Sequence, residues 1–507
     1  MLAACASGPT TPRHLSSAAL HAIGDDLSAK AVVLRAGFTE IREKALEPPP
    51  IDQLFLAGLG NFRRIDSALG VRADAETLTL SVAGDELLVA PRPAADDLGG
   101  WVSTTLALFD AATASSDEAA AADAEVLYKV MFDGALGRID QYSRYSGRRT
   151  AHANRASRNG TVGLGFTFDI VDEGLIVRSV VAQGPLDSAG VRANDIILAI
   201  DEQNIAGVSR DQAMRLLAGP SGSQVSLAVR RAGMTQVSVA QPRRGLVIPK
   251  TVTAHLDGDV AVVEIGSFNI KTAADVAHAV HRLRRESERP LSGLVLDLRG
   301  DPGGLLDQAV EVSDMFLDTG VIANMAGRHP GAMQYYAATP GDIIDGLPIV
   351  VVVDGKSASA AEIVAAALSD NNRALVIGTN TLGKGTVQTL IRLPNDGEIA
   401  LTWSRVVSPG GYIIHDLGVL PTVCTSGAAG SVAERVEDIF AHAIDPALRR
   451  LQWRTGSDDP ARRAELRRLC PAEHRPGNEV DAVLAVRLAA DRGLYARSSV
   501  TSLAESR

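Results

Sequence analysis

Between residues 259 and 390 the chain alternates apolar runs with helical repeats, and this alternation narrows the fold more than any other feature. The apolar runs are Val260–Ile265, Gly293–Leu298, Pro348–Val353 and Ala374–Ile377. The stretches between them, Thr272–Glu286, Leu305–Phe316 and Ala360–Ser369, carry apolar residues at spacings of three and four. Runs with no polar face must be covered on both sides. They predict a largely parallel sheet clad in helices.

The rest of the chain has other textures. Residues 17–150 read as mainly helical, with periodic stretches at Ala18–Leu46 and Ser115–Leu136. A strand pair, Thr77–Val82 and Glu86–Val89, is expected around Gly84-Asp85. Gly147–Asn159 is polar and basic, as a linker would be. From Gly160 to Arg244 short strands at Leu175–Val181, Ile196–Ile200 and Gln224–Arg230 flank one helix, Ser209–Leu217. Beyond Cys424 the chain reads as helical and Arg-rich. A length of 507 residues suits three or four domains of about 100–200 residues each. Aromatics make up only 4%, so the core is expected to be aliphatic. A net charge of −10 without a long basic block argues against nucleic acid as a partner. No apolar run reaches the ~18 residues of a membrane span.

The three cysteines, Cys5, Cys424 and Cys470, include no CxxC pair for zinc or redox work. Leu2-Ala3-Ala4-Cys5 resembles the cleavage box of bacterial lipoproteins, which makes Cys5 a lipidation candidate and residues 6–16 a tether. In an oxidising envelope Cys424 and Cys470 would pair; otherwise they are buried thiols.

Chemistry concentrates in Val353–Gln388. Ser359 is expected at a helix N-terminus, where unpaired N–H groups and the helix dipole favour developing negative charge. Lys384 lies between Gly383 and Gly385, which leave its amine unobstructed. Lys384, Thr386 and Gln388 alternate as on one face of a strand. A serine hydroxyl needs a base. A lysine supplies one only when neutral, a state favoured by burial. The Gln388 carboxamide could orient that amine without stabilising the ammonium as a carboxylate would. The blander readings are a capping box for Ser359-x-x-Glu362, a surface lysine for Lys384, and Ser357 as an equally good cap. The glycine-rich Leu296–Gly304 offers N–H groups that, with Ala360, could hold an oxyanion. Gly378-x-x-x-x-Gly383-Lys384 fails as a phosphate loop, because Gly385 stands where Ser or Thr is needed. There is no GxSxG elbow, and His278 and His281 lack an evident third metal ligand.

Val353–Glu362 and Ala374–Gln388 together resemble the C-terminal processing peptidases, or tail-specific proteases. The match covers about residues 160–425, where Ser408–Pro421 resembles the segment closing the family's protease domain, with a weaker match before it at Gly137–Tyr145. The resemblance implies Ser359 as nucleophile, Lys384 as general base, Gln388 as its orienting group, Asp370 in support, and an oxyanion hole of Ala360 with Gly303 or Gly304. It also implies that Gly163-Leu164-Gly165-Phe166 is the carboxylate-binding loop of a PDZ domain, in which a peptide adds as a strand. Ala361, Thr379, Leu382 and Thr422 depart from the family's usual Ser, Glu, Phe and Asp.

The expectation is thus a multidomain α/β chain: tether 1–16, helical region 17–150, PDZ domain 160–245, crotonase-like (ClpP/crotonase) protease core 246–427 and helical extension 428–507. It would be a serine endopeptidase of the bacterial envelope (periplasm), free of cofactor and metal. It would act on protein or peptide substrates with apolar C-terminal tails, with membrane anchoring through Cys5. The helical flanks suit either a homo-oligomer or plain domain packing. The alternatives are an inactive PDZ scaffold, which would bind tails without cutting, and an acyl-CoA enzyme on the same core.

Overall fold

The computed structural model describes residues 12–16, 20, 28–427, 434, 453 and 459–498. They form two compact units. The first comprises the chain up to Ala153 with Asn324–Tyr335 and Gly385–Val407; the second holds Asn154–Ala323, Tyr336–Lys384 and the chain from Ser408 on. The expected core 246–427 is therefore not one contiguous body.

In the first unit, helices Ala29–Lys44, Ile51–Leu59, Leu98–Thr113 and Ala124–Leu136 accompany a four-stranded sheet. A mainly helical region was too simple an expectation, because strand Leu69–Ala73 joins the pair Thr77–Val82 and Asp85–Pro91, and Arg13–His14 completes the sheet. The core here is mostly aliphatic, as expected, but is built around an aromatic cluster. Phe38 stacks on Phe55 with ring centroids 3.9 Å apart, and Trp101 and Phe132 pack on that pair. These rings fill the gaps between the helices, where large side chains are needed. Ile391, Leu393, Ile399 and Leu401 join this core, and strand Glu398–Val407 pairs with Arg144–Ser146. This shared core is why 385–407 leaves the segment it was expected to join. The expected linker is instead helix Arg148–Asn159, which the apolar pattern could not reveal because it buries only Ala151.

In the second unit, strands Phe166–Val171, Gly174–Val180, Ile196–Ile200, Leu227–Arg230 and Val237–Ala240 form an antiparallel sheet with Phe166–Val171 at its edge. Helix Arg210–Leu217, capped by Ser209, contributes Ala213 and Leu217 to a core with Leu164 and Phe168.

The same unit holds the alternating region. Its sheet runs in the order β1 (Val252–Asp257), β2 (Val260–Ile265), β3 (Gly293–Asp297), β4 (Ile349–Val353), β5 (Leu375–Gly378) and β6 (Val423–Cys424). Every pairing is parallel except the β1–β2 hairpin. Helices α1 (Thr272–Glu286), α2 (Leu306–Asp314) and α3 (Ala360–Asp370) connect the strands. Helix α4 (Glu479–Ala490) covers one face of the sheet, setting Leu484, Ala485, Leu488 and Ala489 against Val260, Val295, Val350 and Ile377. The Cys424–Cys470 disulfide staples β6 to the segment leading into α4 across a separation of 46 residues. Replacing both cysteines by Ala is expected to lower unfolding free energy by about 2–4 kcal/mol, as read by denaturant titration in non-reducing buffer.

Candidate active site

Strand β4 ends at Val353, and the turn that follows is held by side chains. Asp354 is fully buried and accepts hydrogen bonds from the N–H groups of Gly300, Lys356 and Arg475, each at 2.9 Å, and pairs with His474 Nδ1 at 3.1 Å. Burial alone would raise its pKa, but these hydrogen bonds hold it below the usual carboxylate range. Ser357 is equally committed. Its hydroxyl donates to Leu298 O at 2.8 Å and accepts from Asp354 N–H at 2.9 Å. It is fully buried and cannot stand in for Ser359.

Ser359 opens α3 with φ 56° and ψ −112°. An ordinary N-cap sits in the extended region, whereas a left-handed backbone on a residue with a Cβ is strained. A plain capping role does not call for that backbone.

Glu362 organises the centre. Its Oε2 accepts the N–H of Ser359 at 2.8 Å and that of Lys384 at 2.9 Å. Its Oε1 accepts the Gly383 N–H at 2.8 Å and the Thr381 hydroxyl at 2.5 Å. One carboxylate oxygen thus joins the backbones of the two residues singled out for catalysis. Burial of Glu362 is complete and pushes its pKa up, against the pull of these four donors. The sequence pattern revealed only the local, capping half of this role. The lysine-bearing loop is also held elsewhere: the Arg467 guanidinium donates to Leu417 O at 2.9 Å and Thr381 O at 3.2 Å, and Thr379 Oγ1 donates to Glu473 O at 3.0 Å. Nothing in the sequence pointed to these C-terminal partners. Lys384 itself precedes the strand, which begins at Thr386.

The two glycines of the Leu296–Gly304 turn have different surroundings. A Cβ on Gly303 (φ 94°) would lie 2.8 Å from Ser359 Cβ and 2.9 Å from Ala360 N. A Cβ on Gly304 would lie 2.0 Å from Phe268 O instead. Gly303 is therefore the one set against Ser359 and the first N–H of α3, a group no helical turn satisfies. Asp370, at the far end of α3, accepts the Gly410 N–H at 2.8 Å and so ties down the 408–421 segment.

Gln388 belongs to the first unit. There its Nε2 donates to Thr386 Oγ1 at 3.0 Å and Thr402 Oγ1 at 3.2 Å, which agrees with Thr386 and Gln388 sharing a face. In the antiparallel module, Gly165 (φ 76°) lets the chain turn into the edge strand. The Leu164 and Gly165 carbonyls accept from Leu186 and Val181 N–H at 2.9 and 2.7 Å, fixing the loop ahead of Phe166. Cys5 lies outside the described residues.

Residues 259–425 match the model of peptidase family S41, and residues 176–231 match that of the PDZ domain. A carboxy-terminal-processing protease of Bartonella bacilliformis is 35% identical over 303 residues, which are 59% of this chain and 70% of that protein. A carboxyl-terminal-processing protease of Synechocystis is 33% identical, over 56% of this chain and 65% of its own length. The solved structure of a photosystem II D1 C-terminal processing protease aligns with 78% of this chain and 92% of its own, at 23% identity and a TM-score of 0.37. With 35% identity across 70% of the Bartonella protein, the chain belongs to peptidase family S41, the serine-type peptidases that include the carboxy-terminal-processing proteases.

Proposed function

We propose that this peptidase cuts protein substrates near their C-termini by a Ser-Lys mechanism. The observation that carries the reading is the sharing of Glu362 Oε2 by the Ser359 and Lys384 N–H groups. Ser359 Oγ attacks the scissile carbonyl carbon while its proton passes to the neutral Lys384 amine. The N–H groups of Ala360 and Gly303 receive the charge on the carbonyl oxygen. Collapse of the intermediate breaks the C–N bond, and Lys384 returns the proton to the leaving amine. Water, deprotonated by the same amine, then attacks the acyl carbon; the C–Oγ bond breaks and Lys384 returns the proton to Ser359 Oγ. Gln388 takes the orienting role on the family pattern. No step calls for a metal or cofactor.

The PDZ module supplies the substrate. We assign Gly163–Phe166 to the terminal carboxylate and the edge strand Phe166–Val171 to pairing with an apolar tail. The sheet β1–β6 is assigned to a crotonase-like core. The site of action is the bacterial envelope, a location that suits the Cys424–Cys470 disulfide, with Cys5 as the lipid anchor.

The test is incubation of the enzyme with an unfolded model protein, with a free or an amidated C-terminus, and mass mapping of the fragments. Tail-proximal cuts are expected from the free form. Amidation should raise KM about tenfold or more, because it removes the charge held by the loop N–H groups. Equal KM values would refute carboxylate capture, and an uncut substrate would refute the processing role.

A further inference from the structure

The turn assigned to the oxyanion carries an acid that the mechanism above leaves unused. Asp301 is fully buried two residues before Gly303. Its Oδ1 accepts the Gly303 N–H at 2.7 Å, and among the described residues its buried Oδ2 has no hydrogen-bond partner. The backbone of Asp301 is pinned on both sides. Its N–H donates to Leu298 O at 3.2 Å, and its carbonyl accepts the Ala358 N–H, one residue from the nucleophile, at 2.9 Å. A carboxyl with an unsatisfied buried oxygen is costly to ionise, and burial pushes this one up to about 8.

Gly303 lies against Ser359 and Ala360, yet its N–H is already spent on a side chain. One N–H cannot serve two acceptors at full strength. We propose that Asp301 is a positioning residue that gates the oxyanion turn: it holds the Gly303 N–H in the resting enzyme and yields it to the substrate oxyanion during catalysis. The inference rests on the Ser359–Lys384 reading. A neutral Asp301 yields the N–H readily, because a carboxylic acid oxygen accepts more weakly than a carboxylate. An ionised Asp301 grips it and sets a negative charge beside the developing one.

Other charges surround the turn. Asp297 and Arg299 pair with each other on the same turn. Asp354 and Lys356 lie on the turn before α3, Glu362 on α3, Lys384 on the base loop, and His474 and Arg475 on the C-terminal segment bound to Asp354. None of them hydrogen-bonds the Asp301 carboxyl. Its ionisation is therefore governed mainly by desolvation.

The experiment is the pH dependence of kcat/KM on an unfolded protein with a free C-terminus, with circular dichroism confirming the fold at each pH. The wild type should give a bell, with an acid limb from the Lys384 base and an alkaline limb near pH 8 from Asp301. Asp301→Asn should keep the acid limb and lose the alkaline one. Its rate relative to wild type should then rise about tenfold between pH ~7 and pH ~9, the change in the neutral fraction of an acid titrating near 8. Asp301→Ala should lose the same limb, so either folded variant decides the matter. A wild type with no alkaline fall while folded overturns the gate, as does a folded variant that retains the fall. Cleavage surviving in Ser359→Ala and Lys384→Ala would sink the underlying reading instead. Loss in those variants together with a persistent limb in Asp301→Asn would sink the gate alone.

Discussion

Ser359→Ala is expected to lower kcat by on the order of 10⁴-fold or more, leaving PDZ peptide binding and melting temperature unchanged. Lys384→Ala should fall as far. The Ser359→Ala/Lys384→Ala double variant should be no worse than either single one, because nucleophile and base act as a unit. Lys384→Arg should fail as completely, since guanidinium stays protonated and cannot take the serine proton. The wild-type rate should rise with pH as the amine loses its proton. Steady-state cleavage with fluorescence-monitored peptide binding separates these claims. An active Lys384→Arg variant would remove Lys384 as the base.

The second large effect belongs to Glu362, where even the isosteric Gln should be damaging. A glutamine carries one acceptor oxygen and one NH₂ group. Whichever way it is placed, the NH₂ faces backbone N–H groups: those of Ser359 and Lys384 on one side, that of Gly383 on the other. Each buried donor left unsatisfied costs about 1–3 kcal/mol. Because the Ser359 and Lys384 backbones share this carboxylate, a displacement of about 1 Å is expected, on the Ser-Lys reading, to cut the rate about 10²-fold. Glu362→Gln should therefore lose melting temperature and kcat together, with little change in tail binding by the PDZ module. A Gln variant with wild-type kcat would show that the serine and lysine backbones are aligned by something else.

The parallel sheet was legible because its strands are apolar on both faces and its helices periodic. Ile349–Val353 is buried at every position, and α1 begins and ends where the spacing placed it. Helix Leu98–Thr113 escaped notice because its run Trp101–Phe109 is buried all round, so it shows no stripe. Strand Leu69–Ala73 buries only Leu69 and offers no clean alternation. At the candidate site, Ser359 and Lys384 stood out through their glycine and helix-start context. Glu362 looked like a local cap because its other partners lie 19 to 22 residues further on, a distance no periodicity encodes. The choice between Gly303 and Gly304 likewise depended on which backbone each approaches.

The left-handed backbone of Ser359 sets durability against reactivity at a single codon. Glycine would adopt that conformation without the roughly 1–3 kcal/mol of strain borne by a side-chain-bearing residue, and would delete the hydroxyl. On the Ser-Lys reading, the sturdier glycine variant is the inert one.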